Sequence, residues 1–537
     1  MAAIGDKEVT EAPMASTTSV QNARPMGALT NAGWNAFATI CSIAISFLLA
    51  PVLIRNLGTE QYGLLLVVWS VTGVLSITNL GVGEATLRYV AHYLGDRDLA
   101  GVNRVFGATL SFYVVVCGIV TGVFLFAGPV VATLLKVPAG EYPLVGSLLR
   151  LAALLFSLGM ISNAFQSIPM ALQRYDISSK VGTGQGIIRS IGFVVLAISG
   201  FGVLHVVLWD VLIAFATLCV RVGVARTLLP GVLWVPKASL AGLREIFGYG
   251  MFSFLTQIFL SLYRESGKLI LGNRVGPSGV AYLGAPDSVA YNIYMVVISG
   301  IETLMPRFSA NRDARTANAL VVNATWAALA AAVALFIPLA TLMADFLRLW
   351  IGPEFAREGA PVGQLLAISF IAPAGFAPIA TFFRGSGKPG YVTIVMASAG
   401  SAVLFASVLL VPAHGPVGVG YGYLLSSIGW LSGLLWGWFR IFGGRSIILL
   451  TRTVGVPLLL AGAVFTAQVA IRGHFGEVGW LGLFVLGGVF AGLTGLLVIG
   501  ADLLFGGDSL SRRVLERAFR SRQIDAICNR IRLWQAR

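Results

Sequence analysis

The amino-acid sequence predicts an all-α polytopic membrane protein with about 14 transmembrane helices. Crossing about 30 Å of hydrocarbon takes roughly 20 apolar residues, and fourteen separate stretches are long enough. Charged residues make up only 11% of the chain, against roughly a quarter in soluble domains. The stretches cover residues 27–54, 62–83, 105–127, 143–163, 180–200, 203–225, 246–268, 280–304, 318–343, 361–383, 390–411, 416–439, 450–471 and 479–504.

The basic residues fall almost entirely on alternate sides of the predicted membrane. Of the 37 Lys and Arg residues, 27 lie in the loops of one side, 7 in the loops of the other and 3 within spans. Cytoplasmic loops carry the excess of Lys and Arg. Both termini are therefore predicted to be cytoplasmic, which requires an even number of spans.

An internal repeat divides the chain. Gly58 and Glu84 are separated by 26 residues, as are Gly276 and Glu302. Six spans separate corresponding points, so the copies keep one orientation and are predicted to form two bundles that rock around a central cavity. The predicted units are a disordered cytoplasmic N-terminus (1–26), a first six-helix bundle (27–226), a cytoplasmic linker (227–245), a second six-helix bundle (246–440), spans thirteen and fourteen (441–505) and a basic tail (506–537).

The net charge of +14 does not indicate nucleic-acid binding, because 57% of the residues are hydrophobic and only 11% are charged. Eight Arg residues lie in the tail after Asp508. That tail fits either an amphipathic helix on the anionic inner leaflet or a solvated segment. The four cysteines are scattered without metal-ligand spacing, and no catalytic constellation stands out. The sequence predicts no enzyme, no metal and no cofactor.

Residues 29–96 contain two motifs that identify a family. The first is an LG-x-x-x-YG turn at residues 57–63, and the second is LG-x-G-x-A-x-x-RY-x-A at residues 80–91. Here the chain resembles the Wzx-like polysaccharide flippases of the multidrug/oligosaccharidyl-lipid/polysaccharide exporter superfamily. The resemblance extends more weakly to about residue 440.

The resemblance implies translocation of a polyprenyl-pyrophosphate-linked oligosaccharide, the precursor of a cell-surface polysaccharide, across the bacterial inner membrane. The implied partners are that lipid-linked oligosaccharide and membrane lipids, with a glycan polymerase as a candidate partner. Such a substrate needs a polar cavity, cations for the diphosphate and a side opening for the lipid. The alternatives are an ion-coupled multidrug exporter, which typically has twelve spans and acid-rich cavities, and a membrane scaffold for a glycan polymerase.

Polar groups within the spans are the candidate site residues, because a lone Arg at mid-helix costs at least about 2.5 kcal/mol to insert. Arg189 is the first candidate for a phosphate or anionic-sugar contact, and its alternative is a structural pair with Asp210 in the next span. Further candidate contacts are Gln185 and, predicted nearer the outer surface where snorkelling is easy, Arg150 and Arg264.

The acids are candidates for ion coupling or for structural pairing. Glu84 and Glu302 occupy equivalent places in the repeat, and each precedes an Arg at helical spacing. Glu265 lies two residues before the position at which the family pattern has an acid in span seven. In the repeated inner loops, Arg174, Arg384 and Lys388 are candidate contacts for the entering pyrophosphate.

Overall fold

The computed structural model describes residues 44–45, 47–126, 130, 142–232, 234–237, 239–302, 304 and 314–505. The predictions for the N-terminus (1–26) and for the tail (506–537) lie outside the described residues. Every labelled element in the described ranges is helical. The helices are α1 Phe47–Leu57, α2 Thr59–Leu75, α3 Val82–Gly95, α4 Leu99–Phe126, α5 Tyr142–Ala171, α6 Tyr175–Ile198, α7 Val203–Leu228, α8 Leu240–Arg274, α9 Pro277–Glu302, α10 Ala314–Trp350, α11 Pro353–Ser369, α12 Ile371–Gly385, α13 Gly390–His414, α14 Pro416–Phe442, α15 Val456–Gly473 and α16 Trp480–Phe505.

The helices follow the order of the predicted spans. Ten helical segments in the described ranges are each long and apolar enough to cross a membrane. Among these, α11 and α12 form one continuous span, and a turn of π-helix at Thr451–Gly455 leads into α15. The fold class is confirmed, and the arrangement is consistent with fourteen spans.

The predicted second span, 62–83, is broken before its end. After α2, a 3-10 turn at Ser76–Asn79 is followed by two residues in the left-handed region, Leu80 (φ 51°) and Gly81 (φ 75°). Left-handed residues end a right-handed helix. Asn79 holds the break, because its Oδ1 accepts hydrogen bonds from the Tyr113 hydroxyl (2.7 Å) and the Gly83 N–H (3.3 Å). Glu84, which directly follows the predicted second span, therefore lies in the first turn of a new helix, α3.

The two halves meet tightly at the predicted outer end of the molecule. A Cβ atom on Gly63 of α2 would overlap the carbonyl group of Pro277 at the start of α9. Beside this contact, the Arg55 guanidinium donates to the carbonyls of Trp350 (3.1 Å) and Ile351 (3.3 Å) at the carboxyl end of α10. Unpaired carbonyls at the carboxyl end of a helix favour a nearby cation. Contacts between the two halves therefore close the predicted outer end of the molecule.

A larger side chain at position 63 should open the predicted outer end of the molecule. In Gly63→Val, Pro277 has to move away, so a cysteine placed at Ser288 should react more with a membrane-impermeant thiol reagent added outside intact cells. Gly118→Val is the matched control, because a Cβ on Gly118 meets nothing within 4 Å. Equal labelling in the two variants would show that the Gly63 contact does not hold the closed form.

Helix α8 connects the halves and positions the candidate site. Its first turns pack on α4, where a Cβ on Gly242 would lie 2.9 Å from the Cβ of Ala108. The Tyr93 hydroxyl links the two helices further, since it donates to Glu245 (3.1 Å) and accepts from Arg104 (3.0 Å). Further along, α8 packs against α13 of the second half. The middle of α8 therefore lies between the halves.

Helices α15 and α16 are fastened to the second half through α10. Arg472 forms a two-point ion pair with Asp345, with distances of 2.6 and 2.5 Å. In mid-helix, the buried Gln468 donates to Thr494 (2.9 Å) and accepts from Thr341 (3.3 Å). Polar contacts within an apolar medium resist separation. The last two spans should therefore move with the second half.

The predicted orientation can be measured with cysteine tags in a cysteine-free background. Pro236 in the linker and Glu358 in α11 are both exposed. The distribution of basic residues places Pro236 in the cytoplasm and Glu358 outside. An impermeant reagent should therefore label Glu358→Cys, and not Pro236→Cys, in intact cells. Labelling of the linker tag alone would show that the protein has the opposite orientation in the membrane.

Candidate functional site

Two adjoining cavities occupy the middle of the molecule. The first, the interlobe cavity, has a volume of about 540 Å³ and lies between helices α1, α2 and α6 of the first half and α8 and α9 of the second. The second, the aromatic cavity, has a volume of about 400 Å³ and is lined mainly by α8, α9, α12 and α14. Both volumes fall in the range of cavities that bind small ligands.

The interlobe cavity has a polar wall on α6. Its residues are small and leave room for a ligand: Gly182, Thr183, Gly186 and Ser190 all line the cavity. The opposite wall, on α8 and α9, carries Arg264, Lys268, Asp287, Ser288 and Asn292. The cavity is thus suited to a polar ligand with negative charge.

The aromatic cavity is lined by rings that pack edge to face. Tyr263 lies at the centre, with ring centroids 5.1 Å from Tyr423 and 5.7 Å from Trp430. Offset and edge-to-face pairs are the favoured arrangements of aromatic rings. Seven aromatic side chains line this cavity: Tyr263, Tyr291, Tyr294, Phe370, Phe376, Tyr423 and Trp430.

Three side chains line both cavities: Arg264, Asp287 and Tyr291. The guanidinium of Arg264 lies 3.7 Å from the centroid of the Tyr291 ring, a distance at which the ring attracts the cation. No carboxylate in the described part of the chain lies within ion-pair distance of Arg264. Its charge is therefore held at the shared wall by an aromatic ring, and its N–H groups stay available to an anion.

Arg264 does not snorkel toward the outer surface as its predicted position suggested. The predicted span seven ended at residue 268, but α8 runs 35 residues to Arg274. Arg264 thus lies well inside the helix and is half-buried among residues of both cavities.

Arg189 forms the ion pair that was the structural alternative. Its Nε lies 2.6 Å from Asp210 Oδ1 and its Nη2 lies 2.7 Å from Asp210 Oδ2. Asp210 is 4% exposed and also accepts from the Trp69 indole (3.1 Å). Arg189 packs against two rings as well, with its guanidinium carbon 4.8 Å from Trp69 and 5.0 Å from Phe193. It lines the interlobe cavity while its Nη2 donates a hydrogen bond to Asp210.

Glu265 belongs to a charge cluster beside Arg264. Lys268 lies 3.2 Å from Glu265 and 3.8 Å from Asp287. Glu265 also faces the first half, because a Cβ on Gly73 of α2 would lie 3.1 Å from the Glu265 carboxylate. Together with Arg264 beside them, these three charges compensate one another at the boundary between the halves.

The structure brings together three predicted residues at the open end of the aromatic cavity. Glu84, Glu302 and Arg384 all line it, and all three are exposed. This is the predicted cytoplasmic end. The open end of the aromatic cavity, here called its mouth, therefore carries the two acids of the repeat and one basic residue of the inner loops.

Four other candidates lie away from the cavity linings. Arg150 is exposed on α5, and Gln185 on α6 lies beside the face that lines the interlobe cavity. Arg174 is held by Asp176 in a two-point contact of 2.9 and 3.1 Å. Lys388 is exposed in the turn before α13, next to Pro389 of the aromatic cavity.

Sequence reasoning missed Asp287, Lys268 and the aromatic residues. Asp287 had a readable signal, because it is a carboxylate directly after Pro286 within an apolar span, and such acids usually have a role. Lys268 is the last residue of the predicted span seven, where a basic residue is expected at the boundary with a loop. The aromatic residues come from distant helices, so no spacing in the sequence marks them.

Comparison with known proteins places the sequence among polysaccharide biosynthesis proteins. Residues 28–312 match the family model described as "Polysaccharide biosynthesis protein". The uncharacterized membrane protein EpsK of Bacillus subtilis is 24% identical over 402 residues, which span 71% of this chain and 76% of that protein. The succinoglycan biosynthesis transport protein ExoT of Rhizobium meliloti is 25% identical over 285 residues, 52% of this chain and 53% of that protein.

Solved structures with the same fold are membrane transporters. The lipid II flippase MurJ in an inward closed conformation superposes with a TM-score of 0.70 at 11% identity, covering 88% of this chain and 98% of that chain. An inward-facing multidrug resistance transporter of the MOP superfamily gives a TM-score of 0.56 at 17% identity, covering 75% and 94%. The chain therefore shares the fold of these two proteins. The chain belongs to the polysaccharide biosynthesis protein family.

Proposed function

We propose that this protein moves a polyprenyl-pyrophosphate-linked oligosaccharide from the inner to the outer leaflet of the bacterial inner membrane by alternating access. Similarity to a succinoglycan biosynthesis transport protein supports a polysaccharide precursor as the substrate. The lipid II flippase with the same fold supports movement of a lipid-linked substrate. The two halves would then rock about the cavities described above.

Arg264 is the observation that carries this proposal. A guanidinium within a helix that crosses the membrane is costly. This one lies against a ring and forms no ion pair with the described residues. Its planar set of donors matches the oxygens of a phosphate in two-point contact. The pyrophosphate is therefore assigned to the shared wall, within reach of both cavities.

The other cations of the interlobe cavity take supporting roles in this proposal. Lys268 lies one helical turn beyond Arg264 and is shared between Glu265 and Asp287. An arriving pyrophosphate would compete with these carboxylates for the ammonium group. Such an exchange of partners would loosen the boundary between the halves and so couple binding to movement.

Export of cationic drugs is the second candidate function, and one feature favours it. The aromatic cavity combines ring faces with Asp287, Glu84 and Glu302, and rings attract organic cations. However, Arg264 already occupies the face of Tyr291 at the deep end of this cavity. A resident cation there repels a cationic cargo.

Loss of the protein in its native host separates the two functions. The flippase proposal predicts that lipid-linked glycan accumulates on the inner leaflet of depleted cells and that drug sensitivity is unchanged. Radiolabelled lipid-linked glycan, extracted after treatment of spheroplasts with a membrane-impermeant glycosidase, measures the leaflet. Increased drug sensitivity without accumulation would support the exporter.

A further inference from the structure

We infer that the aromatic cavity binds the first sugars of the glycan, those next to the pyrophosphate. This inference rests on the proposed function and adds a second binding site for a different part of the same substrate. Sugar rings present C–H groups on one face, and the faces of aromatic rings carry partial negative charge that attracts them. A cavity with seven such rings is suited to this class of ligand.

Two polar atoms in the wall of this cavity have no partner with normal hydrogen-bond geometry. Tyr263 is 7% exposed and Trp430 is 4% exposed. The Tyr263 hydroxyl lies close to the Trp430 indole and to Ser426, but neither this hydroxyl nor the Trp430 indole N–H makes a hydrogen bond of normal geometry. Buried polar groups are nearly always paired, and an exception calls for an explanation. A small rotation of either ring toward the cavity would allow a sugar hydroxyl to supply the partner.

The position of the aromatic cavity fits the order of groups in the substrate. The pyrophosphate joins the lipid directly to the first sugar, so a site for that sugar must adjoin the phosphate contact. Arg264 and Tyr291 line both cavities. A pyrophosphate held by Arg264 therefore places the first sugar at the entrance to the ring of aromatic residues.

The mouth of the cavity lies on the side from which the glycan would enter. Glu84, Glu302 and Arg384 surround it at the predicted cytoplasmic end. Carboxylates and guanidinium groups accept from and donate to sugar hydroxyls. Later sugars of a longer glycan would extend through this mouth.

The test uses two probes and a pair of conservative substitutions. The probes are undecaprenyl pyrophosphate and undecaprenyl pyrophosphate carrying one hexose, glucose or galactose, and native mass spectrometry of the purified full chain gives their affinities. The double variant Tyr263→Phe/Trp430→Phe keeps two aromatic rings at these sites and removes both polar atoms. The change from Trp to Phe also removes part of a buried indole, and the cavity left behind lowers stability. The thermal midpoint of the variant should therefore fall about as far as that of Trp438→Phe, which loses the same volume from a buried site.

We expect wild-type protein to bind the hexose-bearing lipid roughly tenfold more tightly than the sugar-free lipid. The double variant should lose that difference and keep its affinity for undecaprenyl pyrophosphate. Trp438→Phe is the matched control, because the indole N–H of Trp438 is also buried without a partner while the side chain lies outside the cavity lining. It should discriminate between the two lipids as wild type does.

The outcomes separate this inference from the proposed function. If wild-type protein binds undecaprenyl pyrophosphate but gains nothing from either hexose, the sugar site is overturned and the flippase proposal stands. If it binds neither lipid, the proposed function itself fails. A preference for the hexose that survives in the double variant would place the sugar contact elsewhere.

Discussion

Arg264→Ala should reduce the affinity for undecaprenyl pyrophosphate by roughly 10- to 100-fold. A hydrogen bond to a charged group contributes about 1.5–3 kcal/mol, and each 1.4 kcal/mol is a factor of about ten. Among the residues that the structure describes, Arg264 is the one cation that lines both cavities, so its loss removes the cation from the shared wall. The substitution leaves the Lys268 pairs with Glu265 and Asp287 in place, and the fold should survive.

Arg264→Lys should recover part of this loss, since it restores the charge without the planar donor set. Arg150→Ala is the matched control, because it also removes an arginine from a span, at an exposed position away from both cavities. Ligand titration with native mass spectrometry, together with a thermal unfolding curve for each variant, separates lost binding from lost folding. If the Arg264→Ala protein folds and binds undecaprenyl pyrophosphate as tightly as the control, Arg264 does not contact the phosphate.

Arg189→Ala should destabilise the protein by about 3 kcal/mol. Removing one partner of a buried ion pair leaves an uncompensated charge at a cost of roughly 3–5 kcal/mol, and the partial exposure of Arg189 favours the lower end. Asp210 would remain 4% exposed in the native geometry with the Trp69 indole as its other polar partner. The thermal midpoint of the purified protein should fall, and less protein should be recovered.

The double variant Arg189→Gln/Asp210→Asn tests whether the Arg189–Asp210 pair is structural or whether Arg189 contacts the substrate. Neutral amides can hydrogen-bond to each other, and the Asn oxygen can still accept from Trp69. We expect stability to return toward the wild-type value and transport to return with it. Restored stability without transport would show instead that the Arg189 cation contacts the substrate.

The helices could be predicted from the sequence because the membrane leaves few alternatives. Backbone polar groups in lipid must be paired within the segment, so an apolar stretch of sufficient length has to be helical. The break between α2 and α3 could not be predicted in this way. It depends on Leu80 adopting φ 51°, and leucine has no intrinsic preference for that conformation.

The site could be predicted only in part, because charge is visible in a sequence and partners are not. Arg189 and Asp210 are 21 residues apart, and their contact follows from the packing of α6 on α7. Arg264 seemed peripheral because the apolar stretch ended four residues later, whereas the helix continues to Arg274. The ring contacts of Tyr263 with Tyr423 and Trp430 join helices far apart in the chain.

Transbilayer movement in proteoliposomes tests the central claim most directly. Vesicles that contain the purified protein and fluorescent undecaprenyl-pyrophosphoryl-hexose in both leaflets are treated with an impermeant quencher. With wild-type protein, fluorescence should fall well below the half that remains in protein-free vesicles, because the inner-leaflet lipid is carried outward. Arg264→Ala vesicles should resemble protein-free vesicles, and Arg150→Ala vesicles should resemble wild type. Movement at the same rate with Arg264→Ala, or none with wild type, would contradict the account.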